Sequence, residues 1–156
     1  MKKRIFFLII LACCLLQATL LNSFRFFWVK PDLLLVCVVI ASLSFDLKWA
    51  LTYSVFAGFF KDIFGPHMFG INILLFPLWA VLIKRLARDI SFDNLLLKVI
   101  LMCVVTFTHN IANGLIIVYL GNYIPLGIFT RIVVIESLYT ALCLPLVLKI
   151  IQPADL

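Results

Sequence analysis

Charge is what this chain has least of. Only 13% of its residues are charged, 65% are hydrophobic, and the mean hydropathy is +1.22. Soluble domains are about a quarter charged and nearer half apolar. A water-soluble fold of this size would lack the polar side chains needed to cover its surface, so lipid is the solvent that suits it. Enzyme signatures are missing too. There is no Walker phosphate loop, nucleophile elbow, His-Glu-x-x-His helix or dinucleotide fingerprint. No nucleophile or metal constellation for an intramembrane hydrolase can be assembled, so no enzyme activity, metal or cofactor is expected. Histidine is reduced to His67 and His109, in different segments with no carboxylate or cysteine at ligand spacing. The bland expectation for them is a loop residue and a helix-packing residue.

What is present reads consistently. The five cysteines, Cys13, Cys14, Cys37, Cys103 and Cys143, all lie in apolar runs without metal-ligand spacing. Such thiols behave as small inert hydrophobes. The net charge of +6 comes from basic residues scattered between apolar runs, not from a basic stripe with interleaved aromatics, so no nucleic-acid partner is expected. Repeats, low-complexity tracts and linkers are absent, and residues 1–156 read as a single transmembrane domain.

Six apolar segments stand out, at about 5–21, 33–45, 49–60, 71–83, 99–120 and 132–148. Crossing a core ~30 Å thick takes about 20 helical residues. The second, third and fourth segments are short and must borrow flanking residues, thin the bilayer or be shielded by neighbours. Fusing the second and third would place Asp46 and Lys48 near mid-membrane, at roughly 2.5–3.5 kcal/mol each. A tight hairpin at Phe45-Asp46-Leu47-Lys48 avoids this. With the N-terminus inside, the inner flanks hold nine Lys and Arg (Lys2, Lys3, Arg4, Lys48, Lys84, Arg85, Arg88, Lys98, Lys149). The outer flanks hold four (Arg25, Lys30, Lys61, Arg131), which favours six spans with both termini inside. Lys84-Arg85-Leu86-Ala87-Arg88 is expected as a short cytoplasmic loop. Trp28, Trp49 and Trp79 are expected as interfacial anchors, and Gly121 to Gly127 as a turn-rich outer loop. Lys2-Lys3-Arg4 followed by an apolar stretch and Cys13 loosely resembles a cleavable signal. The apolar run continues through Leu20-Leu21, longer than a usual signal core, and an uncleaved first span is expected.

Polar residues inside spans are costly and usually face protein. Thr106, His109 and Asn113 share one helical face in the fifth segment, followed by Gly114. Interhelical hydrogen bonding beside a close-packing glycine is the expectation, and a proton or substrate relay the sharper alternative. Glu136 lies one turn beyond Arg131 and could pair with it or with His109. The stretch from Gly58 to Asn72 reads as a structured hairpin. Gly58 allows close helix approach, Gly65-Pro66 enforces a turn, and Gly70 supports a sharp helix entry. Asn72 can cap that helix or bond to a neighbour. Lys61 and Asp62 are expected to neutralise each other at the surface, for under about 1 kcal/mol.

Pro31-Asp32-Leu33-Leu34-Leu35 opens the second span, and Gly58, Asp62, Gly70 and Asn72 form a Gly-x3-Asp-x7-Gly-x-Asn pattern. With the size, the basic 84–88 segment and a last span ending Leu144-Pro145-Leu146, the chain resembles the rod shape-determining protein MreD family over nearly its whole length. The resemblance implies a non-catalytic component of the bacterial cell-elongation machinery in the inner membrane, beside MreC. It would help couple cytoplasmic MreB filaments to peptidoglycan synthesis by RodA and its partner transpeptidase. No small-molecule substrate is implied. The family's later spans vary, so His109 and Glu136 carry no role from it. The bundle is also similar to the six-span substrate-binding subunits of energy-coupling-factor vitamin transporters, by analogy of fold. The alternative function is therefore a small-molecule binding subunit, with the polar face of the fifth span and Glu136 lining a cavity.

Overall fold

A computed structural model describes residues 3–19, 29–64, 69–123 and 125–151. Arg25, Trp28, the Gly65-Pro66 turn, His67 and Ile124 lie outside the described residues, as do Leu20-Leu21. The described chain is all-helical, with six helices: α1 (Lys3–Ala18), α2 (Leu33–Ser44), α3 (Leu47–Phe64), α4 (Ile71–Asp89), α5 (Leu95–Tyr119) and α6 (Leu126–Ile151). Each falls on one of the six apolar segments. Two of them, α5 and α6, are long and apolar enough to cross a membrane.

The helices alternate in direction. Phe6 near the start of α1 packs on Phe45 just past α2 and on Tyr53 near the start of α3, with ring centroids 5.1 and 4.9 Å apart. Short connections then reverse the chain between α2 and α3 and between α4 and α5. The α2–α3 turn falls at Phe45-Asp46, where the hairpin was expected. Lys84 Nζ donates to the carbonyl of Phe45, the residue that caps α2, at 2.6 Å. That bond ties the far end of α4 to this turn. The tightest helix pairs are α3 with α4 and α5 with α6.

α2 is the central element. Leu34 through Ser42 are all buried, and it packs against α1, α3, α4, α5 and α6. At about 1.5 Å per residue it is only about 18 Å long. The long helices are different: a third of each apolar window is buried in the bundle. Leu138, Leu142, Leu146 and Ile150 form an i, i+4 stripe along α6, each more than half exposed. A contiguous apolar face of this kind is one that water does not tolerate without a partner.

Three expectations about the elements are corrected. Lys84 to Arg88 is not a loop: α4 stays helical to Asp89, and the connection is residues 90–94. The basic side chains extend a helix whose apolar run has already ended. Trp79, expected near an end of its segment, lies about midway along α4 because that helix runs on to Asp89, and it is half-buried. α6 already begins at Leu126, so Gly127 belongs to the helix and not to the expected outer loop.

Candidate functional site

Two polar joints occupy the half of the bundle where α2 begins. The first is built on Asp62 in the last turn of α3. Its carboxylate accepts hydrogen bonds from the backbone N–H of Gly70 (3.0 Å), Asn72 (3.2 Å) and Ile73 (3.0 Å), and from Asn72 Nδ2 (2.7 Å). Those N–H groups are the orphan donors at the start of α4, and an anion there also meets the positive end of the helix dipole. Gly70 is the N-cap, with φ +108°, a conformation that L side chains rarely adopt. It supplies no side-chain cap, so Asp62 caps α4 from the preceding helix. Asn72 does not cap α4, as one expectation had it. It is buried and donates to Asp62, the other of the two possibilities raised.

Gly58 lets this joint close. A Cβ placed on it would lie 2.5 Å from Asn72 O, 2.8 Å from Asn72 C and 2.9 Å from Ile73 Cα. All three are backbone atoms of α4, so only a residue without a side chain permits this approach. Gly58, Asp62, Gly70 and Asn72 are thus four parts of one joint.

The second joint is built on Asp32, the N-cap of α2, 1% exposed. Its carboxylate accepts from Leu35 N–H at 3.2 Å, from Gln17 Nε2 of α1 at 3.5 Å, and from Lys61 Nζ of α3, with which it forms an ion pair. Its own N–H donates to Thr140 Oγ1 of α6 at 3.0 Å. Gln17 Oε1 in turn accepts Leu34 N–H at 3.4 Å. Lys61 Nζ also lies 3.2 Å from His109 Nε2 of α5 and 5.1 Å from the centre of the Phe76 ring. Trp79 Nε1 of α4 donates to His109 Nδ1 at 3.2 Å. Every helix contributes a side chain, α2 through its cap, and Pro31 beside Asp32 is itself buried.

The expected surface pair of Lys61 with Asp62 is therefore wrong. Adjacent residues on a helix point about 100° apart, so the two look at different neighbours. Lys61 turns inward to Asp32 and His109, and Asp62 turns to the start of α4.

These groups lie deep. At about 1.5 Å per residue, Lys61 stands about 21 Å from the Leu47 end of α3, and His109 about 21 Å from the Leu95 end of α5. Thr140 is about 17 Å from the Ile151 end of α6, on the same rule. All three ends lie on the same side of the bundle, so the cluster sits near the middle of the two long helices. Unpaired, an ion there would be expensive to bury, but Lys61 and Asp32 answer each other.

The remaining expected residues separate into buried and peripheral ones. Thr106, fully buried, donates to Met102 O of its own helix at 2.8 Å, not to a neighbouring helix. Asn113 is 9% exposed and its Oδ1 has no hydrogen-bond partner; Asn110 is 8% exposed and its Nδ2 has none. Gly114 packs against Phe129 of α6, as a close-packing glycine should. Glu136 is half-buried, one turn before Thr140, with Asn110 as its polar neighbour and Lys61, Asp32 and Lys30 as the charges acting on it. Arg131 is exposed near the start of α6, whereas His109 is buried at mid-bundle between Trp79 and Lys61.

Sequence reasoning missed Gln17, Lys61, Trp79 and Thr140 as members of the polar centre. A signal existed for Lys61: a lone cation in an apolar run needs a counter-charge, and Asp32 opens the span before it. Nothing local marks the other three. Among the described residues no three His, Cys, Asp or Glu side chains are grouped to hold a metal ion. Asp62, Asp32 and Lys61 are answered by groups within the bundle, so this centre is arranged to lock helices together. No protein-family model, curated protein or solved structure matches the chain.

Proposed function

We propose that the chain is a non-catalytic, multi-pass scaffold of the bacterial inner membrane, of the MreD type, which helps couple MreC and MreB to peptidoglycan synthesis by RodA and its transpeptidase partner. One observation carries the reading. The residues on which the resemblance rests form two adjoining joints, Asp62 capping α4 against Gly58 and Asp32 pairing with Lys61. A motif whose members hold helices at fixed spacing, rather than line an open site, suits a protein whose helix faces are its working surface. The exposed apolar stripe of α6 supports lipid or partner helices as the surroundings. Six spans with both termini inside remain the topology proposed, the shorter helices being shielded by their neighbours.

The test is co-purification of the tagged chain from its native membrane in detergent, followed by mass spectrometry. Recovery of MreC with RodA or its transpeptidase is the expected result. Gly58→Leu is expected to weaken MreC recovery, because the α3–α4 approach is spoiled. A folded Gly58→Leu variant that keeps MreC in full would separate this joint from the partner surface.

A second reading rests on a different observation. Asn110 Nδ2 and Asn113 Oδ1 are buried without hydrogen-bond partners, and Asn110 neighbours Glu136. Orphaned polar atoms of this kind suit a small-molecule binding subunit of a membrane transporter. Recovery of an ATPase pair with a coupling subunit, in place of MreC, would favour it.

A further inference from the structure

The opposite end of the bundle carries charge that the two joints do not use. Arg85 and Arg88 are exposed near the end of α4, and among the described residues neither closes an ion pair. With Lys84, Leu47 and Val81 they line an open cleft of about 180 Å³ between the start of α3 and the end of α4. Lys84 is held in place by its bond to Phe45 O, so one charge of the cleft is fixed. The nearby acidic residues Asp46 and Asp89 are exposed and unpaired among the described residues, and Lys48 adds a further cation. The balance at this end is positive.

An apolar track leads into this cleft. Leu74, Leu78 and Leu82 follow one another at i, i+4 spacing on α4, and are 76%, 54% and 39% exposed. Arg85 lies one turn beyond Leu82 and two beyond Leu78, on the same face. An apolar track running into a basic cleft matches a molecule with a long apolar tail and an anionic head. An acidic protein segment would have use for the cleft but none for the leucine track.

We propose that this cleft binds the phosphate headgroup of an anionic phospholipid, with Arg85 and Arg88 on the phosphate and an acyl chain along Leu82 and Leu78. Guanidinium groups suit phosphate because their paired N–H donors match its oxygens. The proposal rests on the chain being membrane-embedded but not on its partners, so it can fail while the scaffold reading stands.

The experiment is native mass spectrometry of the purified full chain in detergent, supplied with equal phosphatidylglycerol and phosphatidylcholine. The wild type is expected to retain phosphatidylglycerol preferentially. Arg85→Gln/Arg88→Gln should lower that retention roughly 25-fold, two charges each contributing about fivefold near an anionic headgroup. Lys149→Gln removes a cation at the end of α6, outside the cleft, and should leave retention unchanged. Both arginines are exposed, so the double variant is expected to keep the helical circular dichroism of the wild type. Equal retention in the double variant and the wild type would overturn the proposal. Release of the lipid by excess inorganic phosphate would make this a free-phosphate site and overturn it as well. Loss of a co-purifying protein with phosphatidylglycerol retention unchanged would identify a protein-docking face instead.

Discussion

Gly58→Ala adds one methyl group, and the structure says what that methyl would meet. Its Cβ would sit 2.5 Å from Asn72 O, 2.8 Å from Asn72 C and 2.9 Å from Ile73 Cα. An ordinary contact begins near 3.4 Å, so α3 and α4 must part by roughly 0.9 Å at their closest point. None of the three atoms belongs to a side chain that could rotate away. The same movement pulls Asp62 from the start of α4, whose N–H groups it holds at 3.0 to 3.2 Å. Overpacking of this kind costs about 1–3 kcal/mol, and loss of a helix cap adds about 1 kcal/mol. A total of roughly 2–4 kcal/mol is expected, a large fraction of the roughly 5–15 kcal/mol by which folded proteins are stable. The assay is unfolding of the purified protein in mixed micelles, followed by circular dichroism as the SDS fraction rises. A Gly58→Ala variant within about 0.5 kcal/mol of the wild type would refute the claim that α3 and α4 meet backbone to backbone at this glycine. The double variant with Asp62→Ala sharpens the test. If the methyl acts partly by breaking the cap, the two losses should add to less than their sum.

Gly114→Ala makes the opposite case, since its Cβ would come within 2.1 Å of Phe129 Cε2 yet meet only a ring. Phe129 is half-buried and its ring, being a side chain, can swing aside, so a loss below about 1 kcal/mol is expected in the same unfolding assay. Asp32→Ala leaves Lys61 without its counter-charge, and Lys61 is 16% exposed. A loss of about 3–5 kcal/mol is expected, and replacing both residues with apolar ones should recover much of it. Trp79→Phe keeps the ring but removes the N–H that reaches His109 Nδ1. Leaving that buried nitrogen unpaired is expected to cost about 1–3 kcal/mol, read from the unfolding midpoint, with Trp79→His as a variant that retains a donor.

Much of the architecture was legible along the chain, because lipid-facing and buried helices both need long apolar runs. All six helices fall on such runs, and the turn at Phe45-Asp46 was readable from the cost of placing Asp46 and Lys48 inside one. Ends were harder. α4 runs on to Asp89 because basic residues are good helix formers, and apolarity says nothing about where helicity stops. The Gly58-to-Asn72 motif was visible as a pattern, and its glycines signalled close approach and a turn.

The sequence by itself determined the six helices and the position at Gly58 where backbone must pass close to backbone, because each follows from composition or local spacing. Only the tertiary structure decided which polar groups answer one another. Gln17, Asp32, Lys61, Trp79, His109 and Thr140 come from six different helices or their caps, and Asp32 bonds to Thr140 across 108 residues. Helix rotation about its axis decides whether such side chains meet, and it is set by the packing of every neighbour at once. Lys61 and Asp62 show the point most plainly: adjacent in the chain, they turn about 100° apart and serve different joints.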